Sequence, residues 1–292
     1  MFNIKIIIQY DGTDFCGWQI QPNLRTVQGE IFKAVQKIYS EKITFLGTGT
    51  SDGVPMIGCK CPVCSSKDKR DKRLRASILI RDNGKNYVVD TSLDFRAQML
   101  KEKVGRLEAV FFTHQHADHT SGIVDLRSLN FAMNRSIDCY GNKETMDILR
   151  DKYDYFFNPV QMGGGLPQVV FYHINKPMQF DGIKVIPIPI KHGVLNILGY
   201  RFNNFTYITD ASFISEESFK LIEGTEILVL NGLRYRPHHT HLSLQESVNI
   251  ADRIGAKKTY FTHMTHDVLH KNLERELPKN MFPAYDGLTI EI

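Results

Sequence analysis

Long apolar runs are missing from this 292-residue chain, and with them the means to cross a membrane as a helix. The opening stretch Ile4–Ile8 is brief and runs straight into Asp11 and Gly12. That is too short for a signal-peptide core, so a cytoplasmic protein is expected. Charge of one sign is scarce as well: a net charge of +4 would not repel an anionic substrate, yet it falls short of a dedicated nucleic-acid-binding chain. No internal repeat and no low-complexity tract is present, which argues against solenoids and disordered arrays. Cysteine is sparse, with five in all, but Cys59, Cys61 and Cys64 sit together. In a reducing compartment that clustering suits metal ligation better than disulfides.

With 42% hydrophobic and 23% charged residues the chain has ordinary globular composition, enough for one large domain with or without an appendage. Phe2–Gln9 reads as a strand and Val27–Tyr39 as an amphipathic helix. From Ile43 onward, strands are predicted at Ile78–Ile80, Tyr87–Val89, Ala109–Phe112, Ile183–Ile190, Thr206–Ile208, Ile227–Leu230 and Thr259–Phe261. Helices are predicted at Ser121–Met133, Lys143–Lys152, Ser215–Glu223, Ser243–Ile254 and Val268–Glu276. The alternation indicates a layered α/β architecture. Gly163-Gly164-Gly165 reads as a loop, either a bare connector or a flap over a substrate.

The strand Ala109–Phe112 runs into Thr113-His114-Gln115-His116-Ala117-Asp118-His119, an H-x-H-x-D-H string. Three imidazoles and a carboxylate packed this tightly supply nitrogen and hard oxygen donors for zinc, manganese or iron. A hydrolytic metal pair needs further donors from elsewhere, including one that bridges. His192, Asp210 and His263 each lie just beyond an apolar run, where ligand-binding loops of layered sheets gather.

On these residues the chain from 43 to 292 resembles the metallo-β-lactamase superfamily. The resemblance implies a four-layer αβ/βα sandwich, with His114, His116 and His192 on one metal, Asp118, His119 and His263 on the other, and Asp210 bridging. It also implies a hydroxide held between the metals as nucleophile, oriented by Asp118, because bound metal lowers the pKa of water from about 15.7 to near 7.

Cys59, Cys61 and Cys64 form C-x-C-x-x-C, three thiolates that suit a tetrahedral zinc with one ligand missing. His266, in the same loop as His263, could supply it. This pairing, the Gly47-Thr48-Gly49 turn and Tyr285-Asp286-Gly287 resemble the phosphoribosyl cyclic phosphodiesterase branch of the superfamily. That branch places a histidine near the leaving group, and His241 in His238-His239-Thr240-His241 matches it as a general acid, with His238 and His239 close enough to be confused with it. Arg234 and Arg236 could meet a phosphate or be plain exposed charge.

The opening Tyr10-Asp11-Gly12-Thr13-Asp14-Phe15-Cys16-Gly17-Trp18-Gln19 and Arg25-Thr26-Val27-Gln28-Gly29-Glu30 resemble the N-terminus of the tRNA pseudouridine synthase A family over residues 1–42. The synthase's catalytic stretch and remaining domain are not matched. Asp52, which could be mistaken for its nucleophile, fits better in the first turn of a hydrolase domain. The expectation is a strand-helix appendage (1–42) on a hydrolase domain (43–292) with two active-site metals, zinc or manganese, and one structural zinc. A small phosphodiester, cyclic on a sugar or nucleotide, is the expected substrate. Thioester, lactone or ester cleavage is the first alternative, and a tRNA-binding or modifying protein the second. The apolar face of the N-terminal helix is expected to dock on the hydrolase domain or on a second copy of the chain, giving a homodimer. Neither nucleic acid nor membrane is expected as a partner.

Overall fold

The computed structural model describes residues 7–39, 41–160, 165–180 and 182–292. In chain order its strands are β1 (Lys42–Gly47), β2 (Ser77–Asp82), β3 (Lys85–Val89), β4 (Ala109–Phe111), β5 (Ile137–Gly141), β6 (Val169–His173) and β7 (Met178–Phe180). There follow β8 (Ile183–His192), β9 (Leu195–Phe202), β10 (Phe205–Ile208), β11 (Ile227–Asn231), β12 (Lys258–Thr262), β13 (Met281–Pro283) and β14 (Thr289–Glu291). They form two seven-stranded sheets, ordered β14-β1-β2-β3-β4-β5-β6 and β13-β12-β11-β10-β9-β8-β7. The helices are α1 (Val27–Tyr39), α2 (Phe95–Lys101), α3 (Ala117–Thr120), α4 (Leu126–Met133), α5 (Lys143–Lys152), α6 (Glu216–Ile222), α7 (Leu244–Ile254) and α8 (His270–Glu276).

Strand periodicity explains the layering. On β2, Ile78 and Ile80 face the second sheet while Leu79 faces helices; on β4, Phe111 points inward and Val110 outward. The inner layer joins these to Val185, Tyr200, Phe202, Phe205 and Val229. Phe111 meets Tyr140, Tyr200 and Phe202 at centroid distances of 5.3, 5.4 and 5.3 Å, so truncating it to alanine should cost about 3–5 kcal/mol. Outside, Phe95, Leu126, Leu129, Met146 and Leu149 cover the first sheet, and Ile214, Ile222, Val248 and Ala251 cover the second. The result is the expected four-layer αβ/βα sandwich.

Each predicted core strand lies within an observed one or overlaps it, and the helices at Lys143, Ser215, Ser243 and Val268 form within those spans. The helix expected over Ser121–Met133 is instead a 3-10 turn, Ser121–Asp125, followed by α4. Gly122 causes this tight passage: a Cβ there would sit 2.2 Å from the Ser92 carbonyl oxygen. Likewise, a Cβ on Gly47 would lie 2.0 Å from the Arg75 carbonyl oxygen, so the Gly47-Thr48-Gly49 turn needs glycine for close backbone approach.

Most of the strand expected over Phe2–Gln9 falls outside the described residues, and Ile7–Gln9 carry no strand. Gly163 and Gly164 also lie outside them. The helix expected at Val27 forms, and the loop before it closes on its own start: Val27 N–H donates to Gly17 O at 3.1 Å and Gln28 N–H to Trp18 O at 2.9 Å. Trp18, Ile20, Leu24 and Phe32 are exposed. Among the described residues no helix is long and apolar enough to cross a membrane.

Candidate metal centre

Strands β3 to β6 run parallel, as do β10 to β13, and the loops leaving their C-terminal ends meet along one edge of the sandwich. Bonds tie the sheets together there: Tyr200 Oη–H donates to Phe112 O at 2.7 Å, Leu198 N–H to Thr113 O at 3.0 Å and Asn142 Nδ2–H to Asn196 O at 2.9 Å. At the far side Met264 N–H donates to Thr48 O at 2.9 Å. The turn after β4 delivers His114, His116, Asp118 and His119; β8 ends on His192, and Asp210 and His263 follow β10 and β12.

Sharp departures from the strands aim these side chains. Asp210 has φ 58°, His263 φ 56°, and Asp90, which follows β3, has φ 65°. Non-glycine residues in this region cost on the order of 1–3 kcal/mol each and gather where function requires them. Asn231 holds the turn after Asp210, its side chain accepting from Ala211 N at 2.8 Å and donating to Ala211 O at 3.1 Å.

The side chains converge. Donor atoms of His114, His116 and His192 lie within 4.8 Å of one another, as do those of Asp118, His119 and His263; Asp210 reaches His114 and His119 on one side and His192 and His241 on the other. His114 Nε2 and His116 Nδ1 are 2.9 Å apart, and His119 Nε2 lies 3.3 Å from both Asp118 Oδ2 and Asp210 Oδ2.

The charges support one another. Burial alone would favour neutral Asp210, but the His263 and His119 imidazoles hold its carboxyl well below the usual range. Burial likewise works against the His119 cation, yet Asp210, Asp90 and Asp118 keep its pKa well above the ordinary value. Asp118 stays low despite burial, chiefly because of His119. His114 is pushed well below its usual range by burial and the neighbouring His119 charge.

This donor set fits a divalent metal. His263 is buried with both ring nitrogens lacking a hydrogen-bond partner; Nε2 lies 3.0 Å from Asp210 Oδ1, but out of hydrogen-bonding alignment. An unpaired buried polar group costs about 1–3 kcal/mol, and a shared cation removes that cost. Imidazoles and carboxylates in this mixture are ordinary donors for zinc or manganese.

Asp90 was not evident as a functional residue from the sequence. Its Oδ1 accepts from Thr113 N at 2.8 Å; its Oδ2 accepts from Thr113 Oγ1 at 2.8 Å and His119 Nδ1 at 2.7 Å. The available signal was its place one residue beyond Tyr87–Val89, matching the strand-end placement of Asp210 and His263. Thr240 was also missed; its carbonyl accepts from His192 Nδ1 at 2.7 Å.

Of the three neighbouring histidines, His241 reaches the centre, with Nε2 3.0 Å from Asp210 Oδ1. Leu242 N–H donates to Ala211 O at 2.7 Å and so holds this loop beside Asp210. The capping box of Ser243 and Glu246 starts α7 immediately afterwards. His238 lines the cavity farther out. The cavity, about 320 Å3, is bounded also by Thr50, Asp52, Arg234 and Thr265. Arg236 instead meets Asp267 at 3.5 Å on the surface.

A second cluster joins Cys59, Cys61, Cys64 and His266, whose donor atoms lie within 4.8 Å of one another. His266 Nδ1 is 3.3 Å from Cys59 Sγ and 3.4 Å from Cys61 Sγ. The Cys64 backbone N–H lowers the Cys61 thiol to about 6, whereas burial raises Cys64 to about 11. Four soft or borderline donors in this arrangement fit a tetrahedral zinc.

The family model for the beta-lactamase superfamily domain matches residues 85–264. A solved structure titled as a new diphosphatase from the PhnP family is 40% identical, covers 86% of this chain and 98% of its own, and has a TM-score of 0.81. An octanoyltransferase of Porphyromonas gingivalis is 37% identical over 83% of this chain, which spans 50% of that protein's length. A tRNA pseudouridine synthase A of Brachyspira hyodysenteriae is 75% identical over 59 residues, 20% of this chain and 24% of its own. This match lends only short, partial support to the resemblance at the N-terminus. Sheet order, converging donors and the match to more than half of its length agree: the chain belongs to the metallo-β-lactamase superfamily, whose fold binds divalent metals such as zinc.

Proposed function

We propose that residues 43–292 are a metal-dependent phosphodiesterase domain and residues 1–42 a separate appendage. The observation that carries this reading is the 3.0 Å approach of His241 Nε2 to Asp210 Oδ1 in a cavity also lined by Arg234. His114, His116 and His192 would hold one divalent metal, Asp118, His119 and His263 a second, with Asp210 between them. When bound, zinc or manganese at these positions supplies positive charge that polarises a phosphoryl oxygen and acidifies water. Cys59, Cys61, Cys64 and His266 would hold a structural zinc.

The chain's own residues do the rest. Asp118, kept ionised beside His119, orients the attacking water. Arg234, whose Nε and Nη2 donate to the Arg236 and Pro237 carbonyls at 3.3 and 3.2 Å, places its positive charge and its Nη1 toward a phosphate in the cavity. The water oxygen bonds to phosphorus and gives up a proton to solvent; as the bond from phosphorus to the leaving oxygen breaks, that oxygen takes the bonding electrons and receives the proton of His241 Nε2. Cleavage of thioesters, lactones or esters would need neither His241 nor Arg234. The diphosphatase relative points the same way, toward phosphoryl chemistry. The thiol cluster suits the reducing cytoplasm.

Metal analysis combined with hydrolysis of bis(p-nitrophenyl) phosphate and p-nitrophenyl acetate tests this reading. The expected result is two active-site metals, one further zinc and preference for the diester. Preference for the acyl ester would overturn it. Asp210→Ala should lose both active-site metals while the fold is retained.

A further inference from the structure

Thr240 stands between His192 and His241 with its polar groups engaged in several directions. Its carbonyl oxygen accepts from His192 Nδ1 at 2.7 Å. Its hydroxyl lies 2.9 Å from His241 Nδ1 and 3.2 Å from His238 Nδ1, and its amide N–H points to His238 Nδ1 at 3.3 Å. Its Cγ2 occupies the space opposite Gly193, where an added Cβ would come within 2.9 Å. Gly193 has φ 58°, so the turn after β8 and the loop before α7 are fitted to each other at this point.

Hydrogen-bond chemistry then sets the two rings differently. A carbonyl only accepts, so His192 carries its proton on Nδ1 and presents a bare Nε2, the form a metal ligand requires. A carboxylate also only accepts, so the 3.0 Å contact with Asp210 puts a proton on His241 Nε2. A hydroxyl can do either. That of Thr240 stands 2.9 Å from His241 Nδ1 and can bond that nitrogen as donor or acceptor, with His238 Nδ1 lying 3.2 Å from the same nitrogen. The hydroxyl therefore holds the His241 ring from its Nδ1 side and leaves Nε2 facing Asp210 and the cavity.

We propose that Thr240 is a positioning residue that aims His241 Nε2 at the leaving group through its hydroxyl, while its carbonyl turns His192 Nε2 toward the metal site. The kinetic part rests on the phosphodiesterase reading above; the orientation of the rings does not.

The test uses the full chain with Thr240→Val, which keeps the shape and the backbone carbonyl but removes the hydroxyl, and Thr240→Ser, which keeps the hydroxyl. For a nucleoside 2′,3′-cyclic phosphate, whose leaving group is an alkoxide, Thr240→Val should lower kcat by about 10–100-fold with little change in KM. For bis(p-nitrophenyl) phosphate, whose leaving group departs without a proton, kcat should change little. Metal content should match the wild type, and Thr240→Ser should restore the alkoxide reaction. Equal losses on both substrates, or a serine variant as impaired as the valine one, would overturn the proposal. A second arm needs no activity: 15N spectra of the histidine rings in metal-free protein, with His241 assigned through His241→Ala. The His241 Nδ1 signal should shift in Thr240→Val and be retained in Thr240→Ser. An unchanged signal in the valine variant would overturn the proposal even if every variant hydrolysed diesters. If wild-type protein hydrolysed neither diester, the functional reading would fail and the ring spectra alone would decide the role of Thr240.

Discussion

His119 Nδ1 donates to Asp90 Oδ2 across 2.7 Å, joining the turn after β4 to the end of the neighbouring strand β3. The bond orients the His119 ring and leaves its Nε2 facing Asp118 and Asp210. Asp90→Ala should therefore weaken metal binding at the active site by about 10–100-fold, the usual consequence of removing a carboxylate behind a ligating histidine. Titration of the metal-free protein checks this. Affinity equal to wild type would show that Thr113 and packing suffice to hold the ring.

Cys61 sits between Cys59 and Cys64, and its sulfur is 3.4 Å from His266 Nδ1. Cys61→Ser should release one zinc and lower the melting temperature while the active-site metals stay, because a structural zinc contributes directly to folding. An unchanged zinc count would remove the cluster from the list of metal sites.

His270 predicts a pH effect on stability. Burial first, then the charge of Arg70, depresses its pKa to about 4, below an ordinary value of 6.5. A depressed histidine contributes fully above 6.5, and its contribution is lost as pH falls from 6.5 through 4. The loss is bounded at about 3 kcal/mol. Asp286 runs oppositely: burial raises it to about 6, so its contribution is greatest at low pH and fades as pH rises through 6. Comparing wild type with His270→Gln isolates the histidine. Denaturant midpoints between pH 7 and 4 should fall less steeply in the variant, and parallel curves would refute the assignment.

His241→Ala should slow diesters with alkoxide leaving groups by about 10²–10⁴-fold and p-nitrophenyl diesters far less. Metal content should hold. Because His192, Asp210 and His241 also lie within 4.8 Å of one another, loss of a metal in this variant would identify His241 as a ligand instead.

The layered α/β class and the candidate donors were legible in the sequence as local pattern, while the four-layer sandwich came from the family resemblance. The H-x-H-x-D-H donors lie within one turn, and that string stands out without any tertiary information. Residues whose roles arise across the fold were not legible. Asp90 acts only because β3 lies beside β4 with Val89 opposite Phe111, a register set by the sheet. Thr240 acts partly through a carbonyl, a group that every residue has. The structure separates His241 from His238 and His239 by placing its Nε2 3.0 Å from Asp210, with the Leu242 N to Ala211 O and His192 Nδ1 to Thr240 O bonds holding its loop there. The strand β9 (Leu195–Phe202) carries no alternating signature because both of its faces are buried, Ile197 under the helices and Leu198, Tyr200 and Phe202 between the sheets. Likewise, the tertiary approach of Gly122 to Ser92 split the helix expected from Ser121, since periodicity records which residues face the core but not how closely two backbones must pass.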